Sequence, residues 1–317
     1  MALYLREDEI AHLLRIDDVI AAVEDGFRRL GRGAAVNRPR QRVAGGGSTL
    51  HVMAGGVPEL GVMGFKAYAG GRGRTRFLGH LYSAESGELL AVMEADRLGQ
   101  LRTGAASAVA TKAMARPEAG SVGIIGTGRQ ARSQVLALSR VRPVALVTCY
   151  SRSAERRERF AAEMVQELGA EVVPVESAQE ALEGADIIIT ATSAREPVLQ
   201  GAWLRPGVHI NAIGSNAAAR QEIDPEAVAR AALRAVDDLE QARLECGDII
   251  RAVDAGRVTW DAVVELGRVV AGTVSGRKAA GDITLFESQG IALEDVVTMK
   301  LAYDLARAQH VGEPIRP

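Results

Sequence analysis

The stretch Val122-Gly-Ile-Ile-Gly-Thr-Gly-Arg-Gln-Ala131 decides how this chain is read, because a short apolar run passes directly into Gly126-x-Gly128-x-x-Ala131 and then into a helical pattern. That order describes a strand, a tight turn and a helix. Gly126 permits the turn, Gly128 leaves backbone N–H groups open to a pyrophosphate, and Ala131 is small enough for the helix to lie close on the strand. The helix N-terminus adds positive potential where phosphates would lie. Thr127, Arg129 and Gln130 fill the remaining positions of the motif and are candidate contacts. The next unit strengthens the reading: Val144–Tyr150 is rich in β-formers and ends in Ser151-Arg152-Ser153, where a second strand should meet the adenosine ribose. An Asp or Glu there would bond the ribose 2′-hydroxyl of NAD, whereas hydroxyls and arginines suit the 2′-phosphate of NADP. Ser151, Arg152, Ser153, Arg156 and Arg157 follow the second pattern, although Arg156 and Arg157 also fit a solvated helix face beside Glu155 and Glu158. NADP is therefore the expected cofactor, with NAD as the alternative.

A chain of 317 residues is long enough for two domains, each with its own core. A formal net charge of −2 with mixed signs gives no basis for nucleic acid or an anionic membrane as partner. No apolar run approaches the roughly 20 residues of a spanning helix, and Met1–Ile10 is too charged for a signal peptide, so a cytoplasmic location is expected. Cys149 and Cys246 lack metal-ligand spacing and are read as reduced thiols, with Cys149 inside a strand. The five histidines form no ligand-spaced cluster, and no metal is expected.

Outward from the glycine turn, the chain divides. From Gly120 onward, strands near 121–126, 144–150, 171–175, 186–191, 208–213 and 233–237 alternate with helical patterns, which implies a doubly wound parallel sheet of the Rossmann type. Before it, an apolar start at 3–5 leads to a helical pattern through Ile20, Val23, Phe27 and Leu30, with Asp8 or Asp17 as cap. A Pro/Arg/Gly-rich segment, Asn37–Gly47, precedes strand-like pieces at Thr49–Ala54, Val62–Ala69, Phe77–Ser83 and Leu89–Glu94, with turns at Gly55-Gly56, Gly70-Gly71 and Ser86-Gly87. This is a smaller, mostly antiparallel α+β region. Leu293–Ala308 spaces Val296, Met299, Leu301 and Leu305 for a buried helix face and is expected to return to the first domain. The expected domains are 1–118 with 294–317 and 119–293.

A nicotinamide enzyme needs its substrate site at the carboxyl ends of the parallel strands, with the first domain supplying the other wall. In Gly64-Phe-Lys-Ala-Tyr-Ala69, alternation places Lys66 on the face opposite Met63 and Phe65. If that face lines the cleft, desolvation lowers the lysine pKa and makes it a proton donor to a carbonyl or imine; otherwise it is a solvated strand lysine. In Leu101-Arg-Thr-Gly-Ala-Ala-Ser-Ala-Val-Ala-Thr-Lys-Ala113, a small-residue helix, Arg102 sits near the expected N-terminus and against the helix dipole. A substrate carboxylate held by the helix end and the guanidinium would explain it, as would pairing with Glu94 or Asp96.

Gly64-Phe-Lys66, Arg102-Thr-Gly-Ala-Ala-Ser107, Gly126-x-Gly128-x-Gln130-Ala131, Ala191-Thr-Ser193, Asn211-Ala-Ile-Gly-Ser215 and Leu285-Phe-Glu-Ser-Gln-Gly290 together resemble the ornithine cyclodeaminase/mu-crystallin family, over nearly the whole chain. The resemblance implies a homodimer joined through the non-nucleotide domain, with NAD(P) and a small α-amino or α-imino acid as ligands. It implies that Lys66 touches the substituents of the reacting carbon and that Arg42 and Arg102 bind the carboxylate. Arg102 and Thr103 would lie near the nicotinamide, Ala191, Thr192, Ser193, Ile213 and Gly214 would border the cofactor, and Gly290, opening the last helix, would approach the nicotinamide pocket.

Two departures separate the activities that the family includes. Cyclodeaminases place an Asp where Gly214-Ser-Asn216 offers a neutral amide, and an acidic residue where this chain has His51. Asn216 and His51 are therefore candidate catalytic positions of altered chemistry, with His51 a possible acid–base group. Reduction of a preformed imine needs only a hydride, a proton from Lys66 or water, and support for the carboxylate. The expected function is a NAD(P)H-dependent ketimine reductase or amino-acid dehydrogenase. The alternatives are an ornithine cyclodeaminase-type ammonia lyase and a non-catalytic mu-crystallin-like binder of NADPH and a small ligand.

Overall fold

A computed structural model describes residues 1–71 and 75–316, which form two compact units: 1–102 with 291–317, and 103–290. The boundary falls inside the helix Asp96–Met114, earlier than the expected 118, and the return falls at 291. Of the loop Gly70–Arg76, residues 72–74 lie outside the described residues.

The first unit is built on strands β1 (Ala2–Leu5), β2 (Val36–Asn37), β3 (Gln41–Gly45), β4 (Ser48–Val57), β5 (Val62–Gly70), β6 (Phe77–Ser83) and β7 (Leu89–Glu94), with β16 (Glu313–Ile315) returning from the C-terminus. They order as β16-β1-β7-β6-β5-β4-β2, with β3 also on β4; pairing is antiparallel except between β1 and β7. Gly55-Gly56 is not a turn: β4 runs through it, and the reversal comes at Pro58–Leu60 and Gly61. Gly55 is glycine because a Cβ there would press on the Val36 carbonyl and the Leu293 backbone. The helices Glu7–Leu13 and Ile16–Gly31 follow β1; their N-caps are Arg6 and Arg15, so Asp8 and Asp17 lie inside the first turns, where a negative charge complements the positive end of the dipole. The helix Ala292–Gln309 packs across β4, β5 and β6 with Val296, Met299, Ala302 and Ala306 buried. It lies close because Gly79 carries no side chain beneath Met299.

The second unit holds β8 (Ser121–Ile125), β9 (Leu146–Tyr150), β10 (Glu171–Pro174), β11 (Ile187–Thr190), β12 (His209–Ala212), β13 (Leu233–Val236), β14 (Val263–Glu265) and β15 (Thr284–Glu287), all parallel, in the order β10-β9-β8-β11-β12-β15-β13-β14. Strands β8 to β13 stand where the apolar runs place them. Strands β14 and β16, of three residues each, are too short for periodicity to mark; β15, as long as β10 to β13, is outside the expected set and slots between β12 and β13. Apolar cores fill both faces of this sheet, one with Val122, Ile124, Val135 and Phe160, the other with Ile188, Ile210, Val236 and Leu285. Chain order reverses between β8 and β11, which opens a crevice at the carboxyl ends of those two strands.

Candidate active site

In the second unit, the turn after β8 has Gly126 at φ 104°, a conformation that L side chains rarely adopt, and a Cβ there would strike the Ala191 carbonyl. Its N–H donates to the Tyr150 carbonyl at 2.8 Å, tying the turn to the end of β9. Gly128, the N-cap of the helix Arg129–Ser139, has an ordinary φ of −82° and open space where a Cβ would point. A backbone cradle at a helix N-terminus is thus left clear, which fits a dinucleotide pyrophosphate.

Gly126, Thr127 and Gly128 form one side of a cleft of about 760 Å³. Ser151, Arg152, Ser153 and Arg156 form another, and Ala191, Thr192 and Ser193 a third, extended by Ala194–Val198. Thr127 Oγ1 donates to Ser151 Oγ at 3.0 Å, and Ser151 Oγ to the Ser153 carbonyl at 3.1 Å. Ser153 caps the helix Ala154–Leu168 by accepting from the Arg156 N–H at 3.3 Å. Arg152 and Arg156 are exposed along the cleft. Arg157, by contrast, is buried, pairs with Glu176 at 2.5 Å and donates to the Ser151 carbonyl, a support for the strand end and not a phosphate ligand.

Other expected cofactor residues serve the walls. Arg129 and Gln130 are outside the cleft lining, and Ile213 and Gly214 are buried beside it. Glu222, which carries no local sequence signal, accepts from Thr190 Oγ1 at 2.9 Å, the Thr192 N–H at 2.5 Å and the Gly214 N–H at 2.6 Å. It binds together the loops that follow β11 and β12, and burial raises its pKa against those bonds. The Thr103 carbonyl accepts from Gln134 Nε2 at 3.1 Å. Asn216 Oδ1 accepts from Arg220 at 2.8 Å. Gly290, at φ 71°, donates its N–H to Asp237 at 2.6 Å and stands two residues before the last helix, not at its start. Cys149 and Cys246 are buried thiols whose pKa burial raises, Cys149 to about 12, so neither is a nucleophile near neutral pH.

In the first unit, the face of the sheet under the helix Ala292–Gln309 gathers cations. Alternation and register put Arg42, His51, Met53, Lys66 and Tyr68 on one side of β3, β4 and β5, and Arg40, the residue before β3, is close enough to act on Lys66 and His51. Lys66 is buried, only 3% exposed, and its Nζ lies 2.7 Å from Asp295 Oδ1. Burial, then the Arg102 cation, lowers the ammonium from its ordinary value to about 8; Asp295 opposes that shift and Arg40 adds to it. Arg102 is also buried, with Nη1 2.6 Å from Glu294 Oε2 and Nε 3.0 Å from Asp295 Oδ1. It does not sit at a helix N-terminus: the helix starts at Asp96, where the N–H groups of Asp96 and Arg97 are capped by Glu7. Glu294 and Asp295 are carboxylate partners that the sequence reading did not name. Burial pushes the Glu294 carboxyl upward, while Arg102 pulls it back.

Arg42 lies exposed on β3, paired in register with His51. Arg40, two residues earlier, is buried and near enough to depress both Lys66 and His51. The resemblance implies Arg42, but of the two arginines only Arg40 is buried. His51 stacks on Tyr68 with centroids 4.5 Å apart, and burial with the Arg40 and Arg42 cations lowers its imidazole to about 4. It is neutral at pH 7 and so unsuited to donating a proton there.

A dinucleotide-type sheet with an open phosphate cradle, in a chain whose other unit buries a lysine between arginines, defines a nucleotide-dependent enzyme class that handles small anions. The chain belongs to the ornithine cyclodeaminase/mu-crystallin family, whose model matches residues 2–310. It is similar to the Δ1-pyrroline-2-carboxylate reductase of Thermococcus litoralis in complex with NADH and L-proline, at 36% identity and a TM-score of 0.94 over 99% of this chain and all of that one. An archaeal alanine dehydrogenase dimer with bound NAD is 32% identical, with a TM-score of 0.93 over 99% of both chains. The iminosuccinate reductase of Paracoccus denitrificans in complex with NAD+ is 30% identical, with a TM-score of 0.94 over 100% of this chain and 99% of that one.

Proposed function

We propose that this protein is a NAD(P)H-dependent oxidoreductase that reduces a small α-imino acid to the amino acid and, in the reverse direction, acts as an amino-acid dehydrogenase. The observation that carries the reading is the buried Lys66 with its pKa lowered to about 8, close to the buried Arg40 and Arg102. A nicotinamide cofactor, when bound, supplies the hydride that adds to the α-carbon. As the C=N π electrons move to nitrogen, Lys66 Nζ donates the proton that nitrogen takes up, and general-acid help of this kind is worth about 10²–10⁴ in rate. Arg40 and Arg102 hold the substrate carboxylate, which orients the α-carbon. Arg40 replaces Arg42 in this role because a buried guanidinium binds a carboxylate with less competition from water. Relatives of this chain have been seen with NADH, NAD and NAD+. For this chain NADPH is the preferred form, since Ser151-Arg152-Ser153 closes β9 without a carboxylate and Arg152 and Arg156 line the cleft. The exposed, cross-strand pair Val43 and Leu50 on the sheet supports a homodimer, the assembly found for the archaeal relative.

The test follows NADPH and NADH absorbance with cyclic imino acids, pyruvate plus ammonia, and pyruvate plus methylamine, alongside L-ornithine with NAD. Imine-dependent oxidation of NADPH is expected. Lys66→Met should lower kcat at least 10²-fold with nucleotide binding retained, and Arg152→Ala should abolish the preference for NADPH. Proline and ammonia from ornithine would instead assign cyclodeamination, and nucleotide binding without any turnover would leave a binding protein.

A further inference from the structure

The cations of the first unit are held by one carboxylate in particular. Asp295 Oδ1 lies 2.7 Å from Lys66 Nζ and 3.0 Å from Arg102 Nε, so a single oxygen bridges the two groups. All three side chains are buried, Asp295 completely. Its neighbour Glu294 has a different position: Oε2 takes Arg102 Nη1, while Oε1 faces the Ile291 N–H that begins the helix, at 3.4 Å. Glu294 therefore ties Arg102 to the helix end. Asp295 ties Arg102 to Lys66.

We propose that Asp295 is the positioning residue of this site, fixing the proton donor Lys66 and the carboxylate anchor Arg102 at a set separation and keeping Lys66 in its charged, donating form. The inference rests on the function proposed above and adds a role for a residue that would not touch the reacting carbon. Its physical basis is a balance of charge. Lys66 is faced by Arg102 from the helix Asp96–Met114, by Arg40 from the chain before β3, and by Asp295 and Glu294 from the helix Ala292–Gln309. Two guanidinium groups and burial all drive its proton off, and Asp295 is the group in direct contact that retains it. Without that carboxylate the lysine would be neutral over much of the working pH range, and the imine nitrogen would lose its donor.

The sign of the effect follows directly. A donor works only while protonated, so imine reduction should fall as pH rises through the Lys66 pKa. Asp295→Asn keeps the shape and removes the charge, lowering that pKa and moving the alkaline limb of kcat to lower pH. Two readouts on the full-length protein are needed. The first is the Lys66 Nζ titration by 15N NMR, which requires no turnover; the second is the pH dependence of kcat and KM with Δ1-pyrroline-2-carboxylate and NADPH. Asp295→Asn is expected to lower the Lys66 pKa by about one unit, a tenfold change in the protonation equilibrium, and to shift the alkaline limb with it. Asp295→Glu should restore most of the wild-type pKa, because it returns the charge. A Lys66 pKa unchanged in Asp295→Asn, or equally low in Asp295→Glu, overturns the inference. A normal titration shift in a protein that reduces no imino acid would overturn the proposed function instead while supporting the charge coupling. A loss of melting temperature with the Lys66 pKa unmoved would mark Asp295 as structural and sink the proposal.

Discussion

Gly126 and Gly128 stand two residues apart and are glycine for different reasons. At Gly126 the backbone conformation and the Ala191 carbonyl both exclude a side chain. At Gly128 neither does: its φ is ordinary, and among the described residues nothing lies within contact distance of the place a methyl group would take. Folding alone therefore leaves Gly128 free to vary, and its value must lie in what approaches it. Gly128→Ala is expected to change stability by less than about 0.5 kcal/mol while weakening NADPH binding at least tenfold, checked by thermal melting beside nucleotide titration. Retained affinity would remove the phosphate from this cradle. The turn was legible in the sequence because its chemistry is local. Lys66 was legible as a candidate, but its partner was not, since Asp295 lies 229 residues away and only the packed fold makes them neighbours.

At the level of elements, the alternation of apolar runs with helical patterns marked β8 to β13 to within a residue or two, because each strand is bounded by its own turn signals. Where an element depends on a distant partner, the reading failed. The helix Asp96–Met114 starts five residues before Leu101, since its cap is Glu7, contributed from the opposite end of the unit. Gly55-Gly56 has the composition of a turn and the surroundings of a strand packed under a helix. Tight packing of the small-residue helix is found at Gly104, where a methyl would collide with the Ser133 backbone carbonyl of the helix Arg129–Ser139. Gly104→Ala is therefore expected to cost about 1–3 kcal/mol through overpacking, visible as a lower midpoint in urea with an unchanged slope. A midpoint equal to that of the wild type would mean that the two helices yield without penalty.

For the whole molecule, the assembly state is the first quantity to establish. The outer face of the first sheet presents Val43 at 63% and Leu50 at 42% exposure, directly opposite each other, with Met63 also exposed on that sheet, six residues along β5 from the register partner of Leu50. A dimer built on this sheet should sediment at about twice the 33.5 kDa of the chain, and the double substitution Val43→Asp with Leu50→Asp should yield a folded monomer. A mutant that remains dimeric would place the interface elsewhere. The described residues include no helix long and apolar enough to cross a membrane.

The discontinuity of the first unit has a consequence for the order in which the protein is made. Residues 103–290 form an uninterrupted unit, but Lys66 and Arg102 must wait for a helix that begins at Ala292. Arg102 precedes Glu294 by 192 residues, so a growing chain carries both cations long before either counter-charge has been synthesised. Burying them early would cost more than it gains. The charged heart of the site can close only after the nucleotide-binding sequence is complete, and any chain that stops short of residue 294 lacks the means to close it at all.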